Sequence, residues 1–212
     1  MPDLTSGLFW HFLPNDRRMH YPPHTPVEAG ATYTVTGRLV VCGNGLHASR
    51  EALDALRYAP GSIVCRVRLG REIIHEDDKV CARERTVLWI AEAGPVLHEL
   101  SCLLAIRSLD RLRLSGYPLD LLRPEAIAAK RAWLRGEIDD EALAVAGRAT
   151  WGYVRSITIR DPCIALRFAV RFLRDTVREL DGRDAWEPAR QAISLELEHM
   201  LFQLAPTERI SA

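Results

Sequence analysis

The 212-residue chain has no excess charge of either sign: Lys plus Arg and Asp plus Glu each number 28. That balance argues against a dominant nucleic-acid or membrane-surface role. The first 97 residues are balanced too, 11 basic against 11 acidic, so no charged tail hides in the average. No apolar run approaches the ~18 residues that a transmembrane helix needs. The N-terminal stretch MPDLTSGLFWHFLPND lacks a basic start and a long apolar core, so no signal peptide is expected. Cys42, Cys65, Cys81, Cys102 and Cys163 are odd in number and contain no CxxC pair. Free, mostly buried thiols in a reducing cytoplasm are the expectation. No Gly-x-Ser-x-Gly elbow, phosphate loop or dinucleotide fingerprint is present, and no internal repeat or low-complexity segment.

What remains is the composition of a globular protein able to bury a core: 48% apolar and 26% charged residues. Gly7 to Leu13 (GLFWHFL) reads as a short strand containing His11, ended by the turn residues Pro14, Asn15 and Asp16. Residues 17–31 hold Pro22, Pro23 and Pro26 and read as an irregular loop carrying His20 and His24. Thr32 to Val35 and Arg38 to Cys42 flank Thr36-Gly37 as a hairpin would. Glu51 to Tyr58 reads as a short helix, with Ser49 as its N-cap and Pro60-Gly61 as its stop. Ser62 to Leu69 alternates Ile63, Cys65, Val67 and Leu69 against Arg66 and Arg68, predicting a half-buried strand with a basic face. Glu72 to His75 extends that sheet, Asp77-Asp78 is a turn, and Val80 to Ala91 is a further strand or a short helix.

Composition shifts at Gly94-Pro95. Five helices are expected beyond it: about 96–114, 124–135, 139–153, 163–180 and 184–204. Leu97, Leu100, Leu104 and Leu109 recur at helical spacing in the first, and Pro124, Asp139 and Asp161-Pro162 punctuate the next three. The fold class is therefore α+β, with a β-rich domain over 1–93 and a helical domain over 94–212. Trp133, Trp151, Tyr153, Phe168, Phe172, Trp186 and Phe202 sit at helical spacing and read as core, an exposed subset marking a partner surface. The basic stretch Lys130 to Arg135 is not followed by a basic recognition helix, so DNA binding is not expected.

The densest chemistry lies in Cys42-Gly43-Asn44-Gly45-Leu46-His47-Ala48-Ser49 and the helix ending in Tyr58. The two glycines let a ligand approach the backbone closely. His20-x3-His24 and Cys42-x4-His47 have ligand types but not the usual zinc spacing, and no metal is expected. A Cys42 nucleophile needs a base and an orienting group that spacing alone does not supply. Arg66, Arg68, Arg71, Lys79, Arg83 and Arg85 offer phosphate contacts, or pair with the nearby acids Glu72, Glu76, Asp77, Asp78 and Glu84.

Gly45-Leu46-His47-Ala48-Ser49, with Ala52, Ala55 and Tyr58 on the following helix, resembles the second motif of the ADP-ribosyltransferase superfamily. The same stretch more closely resembles an uncharacterised domain family of bacteriophage and prophage proteins. Those share a Cys-x-x-Gly-Leu-His core, an Ala-x-x-Tyr helix and an Asp-Lys-x-x-Ala-x-Glu segment, here Asp78-Lys79 through Ala82 and Glu84. The first resemblance implies NAD as cofactor, with Tyr58 stacked on nicotinamide and Gly45, His47 and Ser49 lining the pocket. It also implies His11 on the ribose, Arg66 on phosphate, and Glu84, Glu76 or Glu72 as the carboxylate. His11 is not followed by the glycine and threonine usual in that family. The chemistry is coherent, since cleaving the nicotinamide–ribose bond needs a stacking surface, backbone donors and a carboxylate beside an oxocarbenium-like state. Two functions follow from the resemblances. One is an NAD-dependent ADP-ribosyltransferase-like protein acting on a host target in the bacterial cytoplasm. The other is a non-catalytic protein that binds and inhibits a host protein or complex, such as a defence complex.

Overall fold

The structure, a computed structural model, describes residues 7–118, 124–149 and 157–206. It is an α+β protein: an antiparallel sheet followed by helices. Two compact units form, one of residues up to Ala93 together with those from Ser194 onward, the other Gly94–Ile193. The sequence-based division runs the helical part to residue 212. In the structure, the chain from Ser194 groups with the sheet unit instead.

The sheet unit contains β1 (Leu8–Leu13), β2 (Thr32–Thr34), β3 (Leu46–Ala48), helix α1 (Ala52–Arg57), β4 (Ile63–His75) and β5 (Val80–Glu92). The order is β1-β4-β5-β2, with β3 also on β5. β4 and β5 form one long hairpin, closed by the Glu76 N–H donating to the Lys79 carbonyl at 2.9 Å. The free edge of β5 is shared: β3 pairs with Val80–Ala82 and β2 with Glu84–Thr86. Trp10 and Ser49 then exchange both backbone hydrogen bonds, at 2.8 and 2.9 Å. The sheet therefore curls until its first strand meets the residue after β3. Phe9, Leu13, Ile63, Cys65, Val67, Val80, Ala82 and Val87 fill the interior with Val27 and Ala48.

Three local expectations are corrected. Residues 32–42 form no hairpin, because β2 takes β5 as its partner. The carbonyls of residues 35–38, where the turn is expected, go to side chains instead. Arg83 Nη1 donates to Val35 and Gly37, and Asn44 Nδ2 to Thr36 and Arg38. Ser49 does not cap α1: it sits in the ladder with Trp10, two residues before the N-cap position. Glu51 holds the N-cap position, and the N–H of buried Ala52 donates to the carboxylate of Glu198 at 3.0 Å. β4 has no fully basic face either: Arg68 is exposed, but Arg66 is 6% exposed. Its guanidinium lies 4.3 Å over Trp10 and 5.2 Å over Phe202, from the C-terminal helix. A weakly hydrated planar cation tolerates that sandwich at an attraction of ~0.5–2 kcal/mol. The alternative left open for 80–91 resolves as strand.

The helical unit holds α2 (Gly94–Leu114), α3 (Glu125–Leu134), α4 (Asp140–Arg148), α5 (Pro162–Leu180) and the start of α6 (Trp186–Phe202). The expected punctuation operates: Asp139 and Asp161 accept from the N–H groups of Ala142 and Ile164, each at 2.8 Å. Leu109, Leu112, Ile127, Ile157 and Phe172 share a core with Cys102. Trp151, Tyr153 and the end of the third expected helix lie outside the described residues. Phe172 and Trp186 are buried as expected, whereas Phe168 is partly exposed. No helix among the described residues is long and apolar enough to cross a membrane.

Candidate functional site

Residues 40–47 form a tight loop entering β3. Val40 N–H donates to the Asn44 carbonyl, and the Gly43 and Asn44 N–H groups return to the Val40 carbonyl. Cys42 sits at its tip with φ +61°, a left-handed conformation uncommon for a side chain of this type. At Gly45 the reason for glycine is close approach: a Cβ there would stand 2.1 Å from the Cys81 sulfur. His47 and Cys81 are register partners across β3 and β5. The His47 Nε2 accepts the Cys42 N–H at 3.0 Å. A backbone N–H only donates, so Nε2 carries no proton and the ring is neutral. Burial, then the cations Lys79 and Arg85, hold His47 below its ordinary pKa, which agrees.

Lys79, beside the β4–β5 turn, is the centre of the site. Its ammonium donates to the Cys42 sulfur at 3.1 Å, pairs with Glu76 at 3.3 Å, and lies 5.0 Å over the Tyr58 ring. These contacts raise its pKa, the hydrogen bond to Cys42 first among them. Tyr58, at the end of α1, is 50% exposed and donates its phenol to Asp78 at 2.7 Å; Arg57 pairs with the same carboxylate at 2.8 Å. The Asp78 hydrogen bond, followed by burial, pushes the Tyr58 phenol above its ordinary range.

The structure thus brings His47, Tyr58, Glu76 and the Gly45 turn into one cluster. It leaves the other expected residues elsewhere. Glu84 pairs with Arg71 on the hairpin and packs on Gly70, while Glu72 pairs with Arg83. Ser49 is a buried ladder residue, and Arg66 is closed over by aromatic rings. His11 lies on β1 with Cys65 as its register partner; burial, then Arg85, hold its imidazole well below the ordinary range. Arg85 itself is 3% exposed and donates to the His47 carbonyl at 2.9 Å. Lys79 and Asp78, which in the sequence belong only to a balanced set of bases and acids and to the Asp-Lys pair at the hairpin turn, are the residues that join the cluster together.

All five cysteines are unpaired, Cys42 exposed and the others buried. No group of three or more His, Cys, Asp or Glu side chains suited to a metal occurs among the described residues. His20 meets Tyr21 edge to face, and His24 Nδ1 contacts the Met19 carbonyl. A concavity of about 410 Å³ in the helical unit is lined by Ile106, Leu109, Pro124, Ile127 and Arg131, and includes none of the expected site residues.

Residues 15–99, less than half of the chain, match the model of a domain of unknown function, DUF7666. That match spans Cys42, His47, Tyr58, Asp78 and Lys79. No curated protein and no solved structure matches the chain.

Proposed function

We propose that the sheet unit is a protein-binding module whose contact surface is the far end of the β4–β5 hairpin and the end of α1. The observation that carries this is the closed state of the polar cluster. Lys79 covers the Tyr58 ring, where a nicotinamide would have to stack, and Glu76 is spent on Lys79. The same unit exposes Tyr58, Val40, Ile73 and Ile74, and carries the ion pairs Arg57–Asp78 and Arg83–Glu72. An aromatic and aliphatic patch inside a charged rim is the anatomy of a protein interface. The partner is a protein of the host cell, as the phage-family resemblance implies, and the outcome of binding is inhibition.

A second reading has one observation in its favour. His47, Tyr58 and Glu76 do stand around a single point, and displacing Lys79 would open the Tyr58 face to NAD. In that reading Glu76 is the carboxylate and His11 stays outside the site.

Incubation of the pure chain with labelled NAD and host lysate separates the two. The binding reading expects no transfer, no NAD hydrolysis and no NAD-dependent rise in melting temperature. It also expects a stoichiometric complex that Tyr58→Ala or Ile74→Glu weakens at least tenfold and Val145→Glu, in the helical unit, does not. Labelling that depends on Tyr58 and Glu76 would overturn it.

A further inference from the structure

We propose that Cys42 and Lys79 form a peroxide-responsive covalent crosslink, a sulfur–oxygen–nitrogen bridge that ties the loop before β3 to the β4–β5 turn. This modification site is independent of the binding reading. The two reacting atoms already touch, at 3.1 Å, and one bridging oxygen spans slightly less than that gap. Cys42 is the exposed cysteine of the five, so an oxidant reaches it; the other four are buried. Both reactants are held from several sides. The Cys42 backbone is fixed by His47, and the Lys79 ammonium by Glu76 and the Tyr58 ring. Cys81 is a poor competitor, because its sulfur is packed against the Gly45 backbone and its thiol is raised in pKa, chiefly by burial.

The chemistry needs hydrogen peroxide as oxidant. The Cys42 sulfur attacks one peroxide oxygen; an S–O bond forms, the O–O bond breaks, and water leaves with the sulfur at the sulfenic acid level. Oxidation of Cys42 alters the first of the contacts that raise the Lys79 pKa, while the Glu76 pair keeps the nitrogen beside the sulfur. The amine, its proton released to solvent, takes oxygen from a second peroxide and becomes a hydroxylamine, with loss of water. Condensation of S–OH with HO–NH then expels a third water. The balance is Cys–SH plus Lys–NH3+ plus two H2O2, giving Cys–S–O–NH–Lys, three H2O and one proton.

The test is intact-mass and peptide mass spectrometry of the purified full chain after peroxide treatment. The expected result is a gain of about 14 Da, reversed by a thiol reductant, with the Cys42 and Lys79 peptides joined. Cys42→Ser and Lys79→Arg should each abolish it; the arginine keeps a cation at the sulfur, so loss there reads chemistry rather than folding. The joined peptide in the wild-type chain decides the matter without either variant. Gains of about 16, 32 or 48 Da on Cys42, equal in Lys79→Arg, would overturn the proposal. So would a loss of about 2 Da from a disulfide, or no change in mass.

Discussion

Each unit of this protein contains a single lysine in a chain otherwise made cationic by arginine, and the two lysines are driven in opposite directions. Lys79, in the sheet unit, faces a sulfur, a carboxylate and a tyrosine ring, and its pKa is raised. Lys130, in the helical unit, is 0% exposed and donates to a single described acceptor, the Ile159 carbonyl at 2.8 Å. It lies 4.1 Å over the Trp133 ring, and burial brings its pKa down to about 8. Its cation helps hold the neighbouring His98 at about 4, after burial as the main cause. The lesson concerns partners more than aromatic contact. Both ammonium groups sit on a ring, but only Lys79 has anionic and sulfur acceptors to offset lost hydration. Arg66 completes the contrast: it is buried on Trp10 as Lys130 is on Trp133, yet a guanidinium starts from so high a pKa that it remains a cation.

The largest effect expected from this comparison belongs to Lys130. Folded Lys130 releases its proton near pH 8, and unfolded Lys130 near 10.5. Between those values the unfolded chain holds more protons, so stability climbs as pH rises from about 8 to about 10.5. The contribution is on the order of 3 kcal/mol. Denaturant melts of wild type and Lys130→Met at pH 7.5 and 10.5 should show the difference between them moving toward the wild type by that order. A constant difference would break the comparison at its buried end.

Lys79 should give the smaller effect with the opposite sign. Its raised pKa means that its stabilising contribution is fully present below pH 10.5 and fades above it. Since its partners are largely at the surface, Lys79→Met should cost under ~1 kcal/mol at pH 7 in the same melts. A loss of several kcal/mol would show that the site is a structural staple rather than a surface cluster.

The two units also differ in how far the sequence reveals them. Helices are written locally: Asp139 and Asp161 sit three residues before the N–H groups they cap, so their roles are visible in a short window. The sheet unit depends on pairings across the chain. Residues 32–42 carry every local hairpin signal, but β2 is claimed by Glu84–Thr86, fifty residues on. Ser49 looks like a cap, yet Trp10 takes its backbone while the α1 N-terminus is served by Glu198. The same holds for the site. The Gly45–Tyr58 stretch announces itself by density of reactive groups. The carboxylates around it do not, because only the hairpin register decides that Glu76 and Asp78 arrive there while Glu84 pairs with Arg71.

Lys79 is a firmly held ammonium within a closed cluster. A chain with lysine labelled at the side-chain nitrogen and terminal carbon resolves this by NMR titration, since only two signals need assignment. One signal, lost in Lys130→Met, should titrate near pH 8. The other, lost in Lys79→Met, should stay protonated beyond the pH at which a free lysine deprotonates. Two coincident titrations at the ordinary lysine value would contradict the closed cluster at Lys79 and, with it, the case against an open nicotinamide site.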